Sequence, residues 1–256
     1  MSTNFDIVIP VGPNEINKIH EQLQYTKKHV IGFRNIYIIC YDPNALIDGC
    51  IMVKESDFPF TVADVVSVFA RYQGKCNRNH WYYQQLLKLY CSSVIPDLLD
   101  HFLIIDADVY FLKPISFFEN GRTYMNICDT SDIHIPYTTH LRKMHPEFNK
   151  HTKASGISHH MMFCKQYVKE LFQIVEDHHH MPFWKVFLEM VDEHIKYPIE
   201  AIESGASEYE IYINFVMFYH MDSIVVRKLH WCNMPYSYIV SEDCEYDFIS
   251  ICHYWM

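Results

Sequence analysis

The chain has 256 residues, half of them apolar and a fifth charged, which is enough to bury a real core and excludes a disordered segment. A formal net charge of −10, with no basic run denser than Lys27-Lys28-His29, excludes a face built to neutralise nucleic-acid phosphates. No apolar stretch approaches the roughly 20 residues that span a bilayer, and no basic-then-apolar leader opens the sequence.

Phe5-Asp6-Ile7-Val8-Ile9-Pro10-Val11 is an apolar run ended by Gly12-Pro13 and reads as a buried strand. Ile16, Ile19, Leu23 and Val30 follow at near-helical spacing, with Asn14 as the predicted N-cap. Asn35 to Tyr41 is a second buried strand, closed by Asp42-Pro43. Strand, helix and strand at this spacing predict a parallel βαβ unit. Residues 48–76 show no clear period. A helix is predicted from about Trp81 to Ser92, and then Phe102-Leu103-Ile104-Ile105 runs straight into Asp106-Ala107-Asp108. Residues 120–157 are polar and read as loops. Further helices are predicted over 165–177, 183–195 and 207–220, and a last apolar run ends in His253-Tyr254-Trp255. The alternation of strands and helices predicts one α/β domain over 1–256. It divides into a first half, 1–115, that ends just past the strand carrying these two acids, and a second half, 116–256.

A carboxylate at the end of a buried strand is costly unless it is paired, hydrogen-bonded or bound to a metal. In open α/β sheets, ligands bind at the carboxyl ends of strands. Asp106 and Asp108, spaced i, i+2 at such an end, can both reach one hard cation such as Mg²⁺ or Mn²⁺. The structural alternative is a turn whose acids cap nearby amides. Nine cysteines without a C-x-x-C pair argue against a zinc knuckle and for reduced thiols.

Phe102–Pro114 resembles the D-x-D strand of GT-A glycosyltransferases. The order of the strands and helix upstream of it is similar too. Trp81–Leu89, Ser158–Phe163 and Ser207–Tyr212 resemble a poorly characterised family assigned as glycosyltransferases in bacteria and large DNA viruses. The resemblance covers most of the chain. It implies the GT-A, Rossmann-like fold of nucleotide-diphospho-sugar transferases, a mostly parallel central sheet flanked by helices. It also implies a UDP- or GDP-sugar donor and a divalent metal, usually Mn²⁺, with Asp108 as the more direct ligand and Asp106 beside it. The acceptor, glycan or protein, is not implied. With no leader or anchor in the sequence, a cytoplasm (a host's, for a viral protein) is the expected compartment, unless the chain is cut from a longer protein.

Other residues are candidates for the same site. On the Trp81 helix, Gln84 and Lys88 can donate to phosphate or sugar hydroxyls, with Arg78 just upstream; a solvated helix face is the alternative. Of the pair His159-His160, His160 is preferred as a ligand of the diphosphate or metal, because it leads into Met161-Met162-Phe163. Ser207 and Glu210 have the spacing of a capping box, which leaves Glu208 in the first helical turn as a candidate general base. Complementing the helix dipole is its structural alternative. Asp129, Asp132, Glu242 and Asp243 are other acids that can fill the role. His253 is a candidate third metal ligand by position, since some GT-A enzymes use a C-terminal histidine; a buried histidine beside Trp255 is the alternative. Two other functions fit a similar sequence. One is a sugar nucleotidyltransferase, against which the non-basic Gly12–Glu15 loop speaks. The other is a non-catalytic glycan- or nucleotide-sugar-binding module.

Overall fold

The computed structural model describes residues 4–42, 44–72, 78–128, 134–191, 204–241 and 243–252. β1 (Phe5–Val11) is buried along its whole length and leads through turns into α1 (Ile19–His29). The helix begins later than Asn14 predicts. The carbonyls of Gly12 and Glu15 accept local turn bonds, and Lys18 takes the N-cap position without a side-chain cap. β2 (Val30–Ile31), β3 (Phe33–Cys40) and β4 (Ile51–Lys54) follow. The stretch that lacks a period in sequence holds β4 and α2 (Val62–Phe69), the latter started by a capping box between Thr61 and Asp64. α3 (Asn79–Val94) precedes β5 (His101–Ile105) and β6 (Val109–Phe111). The stretch 120–157, read as loops, contains a strand and a helix, and two short strands come just before it. These are β7 (Ile115–Ser116), β8 (Phe118–Glu119), β9 (Arg122–Asn126) and α4 (Ile135–Met144). The chain continues through β10 (His160–Cys164), α5 (Lys165–His179), α6 (Phe183–Glu189) and α7 (Glu208–Tyr219). The predicted helix over 183–195 therefore stops at Glu189. β11 (Ile224–Arg227), β12 (Trp231–Pro235) and β13 (Phe248–Cys252) complete the described chain.

The architecture is mixed α/β around a five-stranded sheet of order β10-β5-β1-β3-β4. Four of its strands run parallel, and β10 pairs antiparallel with β5 at one edge. Both faces are buried, as parallel sheets require. Val8, Tyr37, Ile39, Phe102, Ile104 and Phe163 pack on one side against the helices α2, α3, α5, α6 and α7. Their strand neighbours Ile7, Ile9, Ile38, Leu103, Ile105 and Met162 pack on the other, with Ile19 and Leu23 of α1. The period-2 alternation of β-strands thus divides one apolar run between two cores.

One topological feature positions the site. β5 belongs to the central sheet, whereas β6 belongs to a separate sheet of order β12-β13-β6. The chain changes sheets across Asp106-Ala107-Asp108. That turn is closed by the Val109 amide donating to the Asp106 carbonyl at 3.1 Å.

Candidate active site

The register of two strand pairs brings distant side chains to this turn. β10 pairs with β5 so that His160 lies opposite Ile105, and the Asp106 amide then donates to the His159 carbonyl at 2.9 Å. β13 pairs with β6 so that Ser250 lies opposite Val109, and the Ile251 amide donates to the Asp108 carbonyl at 2.8 Å. The Ser250 hydroxyl donates to Asp108 Oδ2 at 3.1 Å, and the Cys252 thiol stands 4.0 Å from the same oxygen. Asp108 Oδ1 is buried and has no hydrogen-bond partner among the described residues.

Asp106, Asp108 and His159 each offer a ligand atom, and the three atoms lie within 4.8 Å of one another. His159 gains its position from a left-handed backbone, φ 58°, immediately before β10. Its Nδ1 is 3.4 Å from Asp106 Oδ2. Burial disfavours its charged form, yet the Asp106 and Asp108 carboxylates outweigh that and hold the imidazole above its ordinary value.

A buried network backs these groups. Lys88 Nζ, on α3, stands 2.5 Å from Asp106 Oδ1 and 2.6 Å from Glu208 Oε1. The Tyr209 hydroxyl donates to Asp106 Oδ1 at 2.9 Å. Burial would raise the Asp106 carboxyl, but Lys88 and His159 hold it well below the usual carboxylate range. Burial pushes Asp108 up, with His159 pulling down and Asp106 pushing up. Burial also raises Glu208, against the pull of Lys88. Three carboxyl groups face one ammonium and one imidazole in a partly buried site, an excess of acid that a divalent cation offsets while suiting a set of oxygens with one imidazole. The Asp108 oxygen without a partner among the described residues points the same way: residues Asp106, Asp108 and His159 fit a divalent metal.

These groups open into a cleft of about 630 Å³ along the carboxyl ends of the parallel strands. Arg78, Gln84, Lys88, Asp106, Asp108 and Glu208 all line it. Trp81, Gln84 and Lys88 recur at i, i+3, i+7 on one face of α3, which explains how a single helix contributes several of them. The Arg78 guanidinium lies 4.1 Å over the Trp81 ring. A second cavity of about 330 Å³ shares Tyr137, Ile157 and His159 with the cleft and extends to Lys150, Lys153 and Trp231.

Two sequence expectations are corrected. His160 is fully buried in the core, between Phe111, Phe117 and Phe248, with Nε2 paired to the Asn126 side chain. Burial lowers it to about 3, so it stays neutral and away from the cleft. It does point inward, but the inside is apolar core; His159 is the histidine at the site. Glu210 does not close a capping box. Ser207 Oγ accepts from the Glu210 amide at 3.3 Å, but the Glu210 carboxylate instead accepts from Lys150, from Ser155 Oγ at 2.8 Å and from the Gly156 amide at 2.9 Å. It fastens the loop before β10 onto α7. Gly156 is required there, because a Cβ would sit 2.6 Å from Ile213. The Glu208 amide, left over at the helix start, donates to Gln85 Oε1 at 3.0 Å.

Of the other candidates, His253, Asp129, Asp132 and Glu242 lie outside the described residues, and Asp243 is exposed and lines neither cavity. Tyr209, Ser250 and Cys252 were not singled out in sequence. The polar pair Ser250 and Cys252 interrupts the apolar run of β13 at period 2, and that was the available signal. No disulfide links the described cysteines, and no helix among the described residues is long and apolar enough to cross a membrane.

The fold and site define an α/β protein with a candidate two-carboxylate, one-imidazole metal locus at its strand ends. The chain belongs to the Family of unknown function (DUF6492), whose model matches residues 19–243. No curated protein matches it. Among solved structures it is similar to the apo form of mouse xyloside xylosyltransferase 1, with 10% identity over 99% of each chain and a TM-score of 0.47.

Proposed function

We propose that this protein is a metal-dependent glycosyltransferase that takes a sugar from a nucleoside-diphosphate donor. The observation that carries the reading is the meeting of two cavities at one charged locus. A cleft of about 630 Å³ and a cavity of about 330 Å³ share His159, and Asp106, Asp108 and Glu208 stand in the wall of the larger. A transferase needs two substrates held against one set of reacting groups, whereas a binding module needs one pocket. When bound, a divalent ion would neutralise the diphosphate as it leaves.

The chain's own residues would do the rest. Asp106 and Asp108, assisted by His159, would hold the metal, and Arg78 and Gln84 would orient the phosphates or sugar hydroxyls. The second cavity would hold the acceptor. Its hydroxyl oxygen would attack the anomeric carbon while the bond to the diphosphate breaks, and Glu208 would take the hydroxyl proton. Burial favours that role by raising the Glu208 carboxyl towards working pH. Lys88, between Glu208 and Asp106, would keep its ion pair with Asp106 once Glu208 is protonated.

The test is a thermal-shift series of nucleoside diphosphates and nucleotide sugars, with and without Mn²⁺, followed by a hydrolysis assay. The expected result is stabilisation that needs both nucleotide and metal, with slow release of the diphosphate that EDTA abolishes. A protein indifferent to every nucleotide in the presence of Mn²⁺ and Mg²⁺ would refute the reading.

A further inference from the structure

From the strand order and the residues that line the cleft, we infer that Glu55 reads the base of the donor and that the donor is a guanine nucleotide sugar. The inference rests on the glycosyltransferase reading above and adds the identity of the nucleotide. The candidate metal locus follows β5, which lies next to edge strand β10. The second cavity lies on the side of His159, just before β10. A sugar placed between the two cavities leaves its nucleoside to run the other way, across the ends of β1, β3 and β4. Three strand spacings separate β5 from β4, or about 14 Å, the reach of a nucleoside diphosphate laid across strand ends.

The cleft is lined along that line. Glu15 follows β1, Tyr41 follows β3 and Glu55 follows β4, and all three line it. Tyr41 is 44% exposed, so its ring has a face open for stacking. Glu55 is half-buried, and Tyr83 of α3 lines the cleft with it. A carboxylate in that wall has acceptor capacity on both oxygens to offer a ligand. Burial pushes the Glu55 carboxyl up, against Tyr83 and the nearby His80, which is the behaviour of an acid held out of bulk water.

An ionised carboxylate accepts and cannot donate. Guanine alone among the common bases presents two adjacent donors on its Watson–Crick edge, N1–H and the N2 amino group, and so can bind a carboxylate with two parallel hydrogen bonds. Uracil presents one N–H between two carbonyl oxygens, both of which a carboxylate repels. Adenine and cytosine present one amino group beside a ring nitrogen acceptor. Glu15, two strands nearer the metal locus, lies where a ribose would, and its contribution should not depend on the base.

The experiment is titration calorimetry of the full chain with GDP, IDP, UDP, CDP and ADP in the presence of Mn²⁺. We expect GDP to bind at least about tenfold more tightly than UDP, and IDP, which lacks the N2 amino group, to fall about tenfold below GDP, the worth of one hydrogen bond to a charged group. Glu55→Gln should remove most of the GDP preference and leave UDP unchanged, whereas Glu15→Gln should weaken all five alike. UDP binding as tightly as GDP, or IDP matching GDP, would overturn the inference and leave the glycosyltransferase reading standing. Because the IDP comparison uses the unmodified protein, a Glu55→Gln variant that fails to fold does not shelter the idea. If no nucleoside diphosphate binds, the broader reading fails first.

Discussion

The two ends of the central sheet treat a buried acid in opposite ways. At the amino end of β1, Asp6 is fully buried, and both its oxygens are spoken for. Oδ1 accepts from Arg34 Nε at 3.0 Å and the Asn35 amide at 3.1 Å; Oδ2 accepts from Arg34 Nη2 at 2.6 Å and the Leu99 amide at 2.8 Å. At the carboxyl end of β5, Asp108 keeps one oxygen without a partner among the described residues, and Asp106 shares Lys88 with Glu208. A fully paired acid stabilises a fold, whereas an under-paired cluster with excess negative charge is held ready for a cation. The same residue type therefore meets different surroundings at the two ends, and the hydrogen-bond inventory tells them apart.

The comparison can be broken by mutation. The largest effect is expected from Asp108→Asn, which removes charge without volume. Metal-dependent turnover should fall on the order of 10³-fold or more, with the melting temperature nearly unchanged in the absence of metal. Wild-type turnover in that variant would end the assignment. Glu208→Gln should lower turnover by on the order of 10²–10⁴-fold while sparing donor binding, because a base acts in the transition state. Normal turnover would place the base elsewhere or point to a retaining reaction.

Asp6→Ala is the mirror image. It strands two amides and the Arg34 guanidinium, and should cost roughly 3 kcal/mol in chemical denaturation. Mn²⁺ binding by the folded fraction should stay at the wild-type level, and a loss of affinity would mean the two ends are coupled.

Acid should weaken the fold through two core histidines. Burial lowers His140 to about 4 and His160 to about 3. In the unfolded chain both titrate near 6.5, so between those values the unfolded state binds more protons. Stability should therefore fall as pH drops through 6.5, by about 2 kcal/mol per histidine at pH 5. Denaturation curves at pH 7 and pH 5 test this, and an unchanged pH slope in His140→Gln would assign the loss to other groups. The smallest effect is expected from Ser207→Ala, about 1 kcal/mol for a lost N-cap bond. Glu210→Gln should cost more than that, because Lys150, Ser155 and Gly156 all lose their carboxylate. Equal costs would favour a capping box over the loop clasp.

Much of the scaffold could be read along the chain. β1, β3 and β5 are runs of consecutive apolar residues, and α5 and α7 carry local helical signals, so a parallel-rich α/β sheet follows from neighbours in sequence. Asp106 and Asp108 stand out for the same reason: two acids interrupting an apolar strand are anomalous without any knowledge of the rest of the chain. The short β4 and α4 escaped because neither offers a long enough period, and α2 is signalled mainly by its Thr61–Asp64 cap.

What sequence could not decide was which side chains meet those two acids. His159 and His160 are adjacent and chemically identical. The pairing of β10 with β5, and the left-handed turn at His159, send one to the cleft and the other to the core. Lys88 could be read as a phosphate ligand until α7 placed Glu208 against it, 120 residues further on. Glu210 matched a local capping rule, and a distant loop outbid that rule with more donors than the helix end supplies. Ser250 reaches Asp108 from 142 residues away. Local periodicity determines elements because hydrophobic burial and backbone hydrogen bonding act over a few residues. Partners are decided by strand register and helix packing, which bring together groups that no sequence window contains.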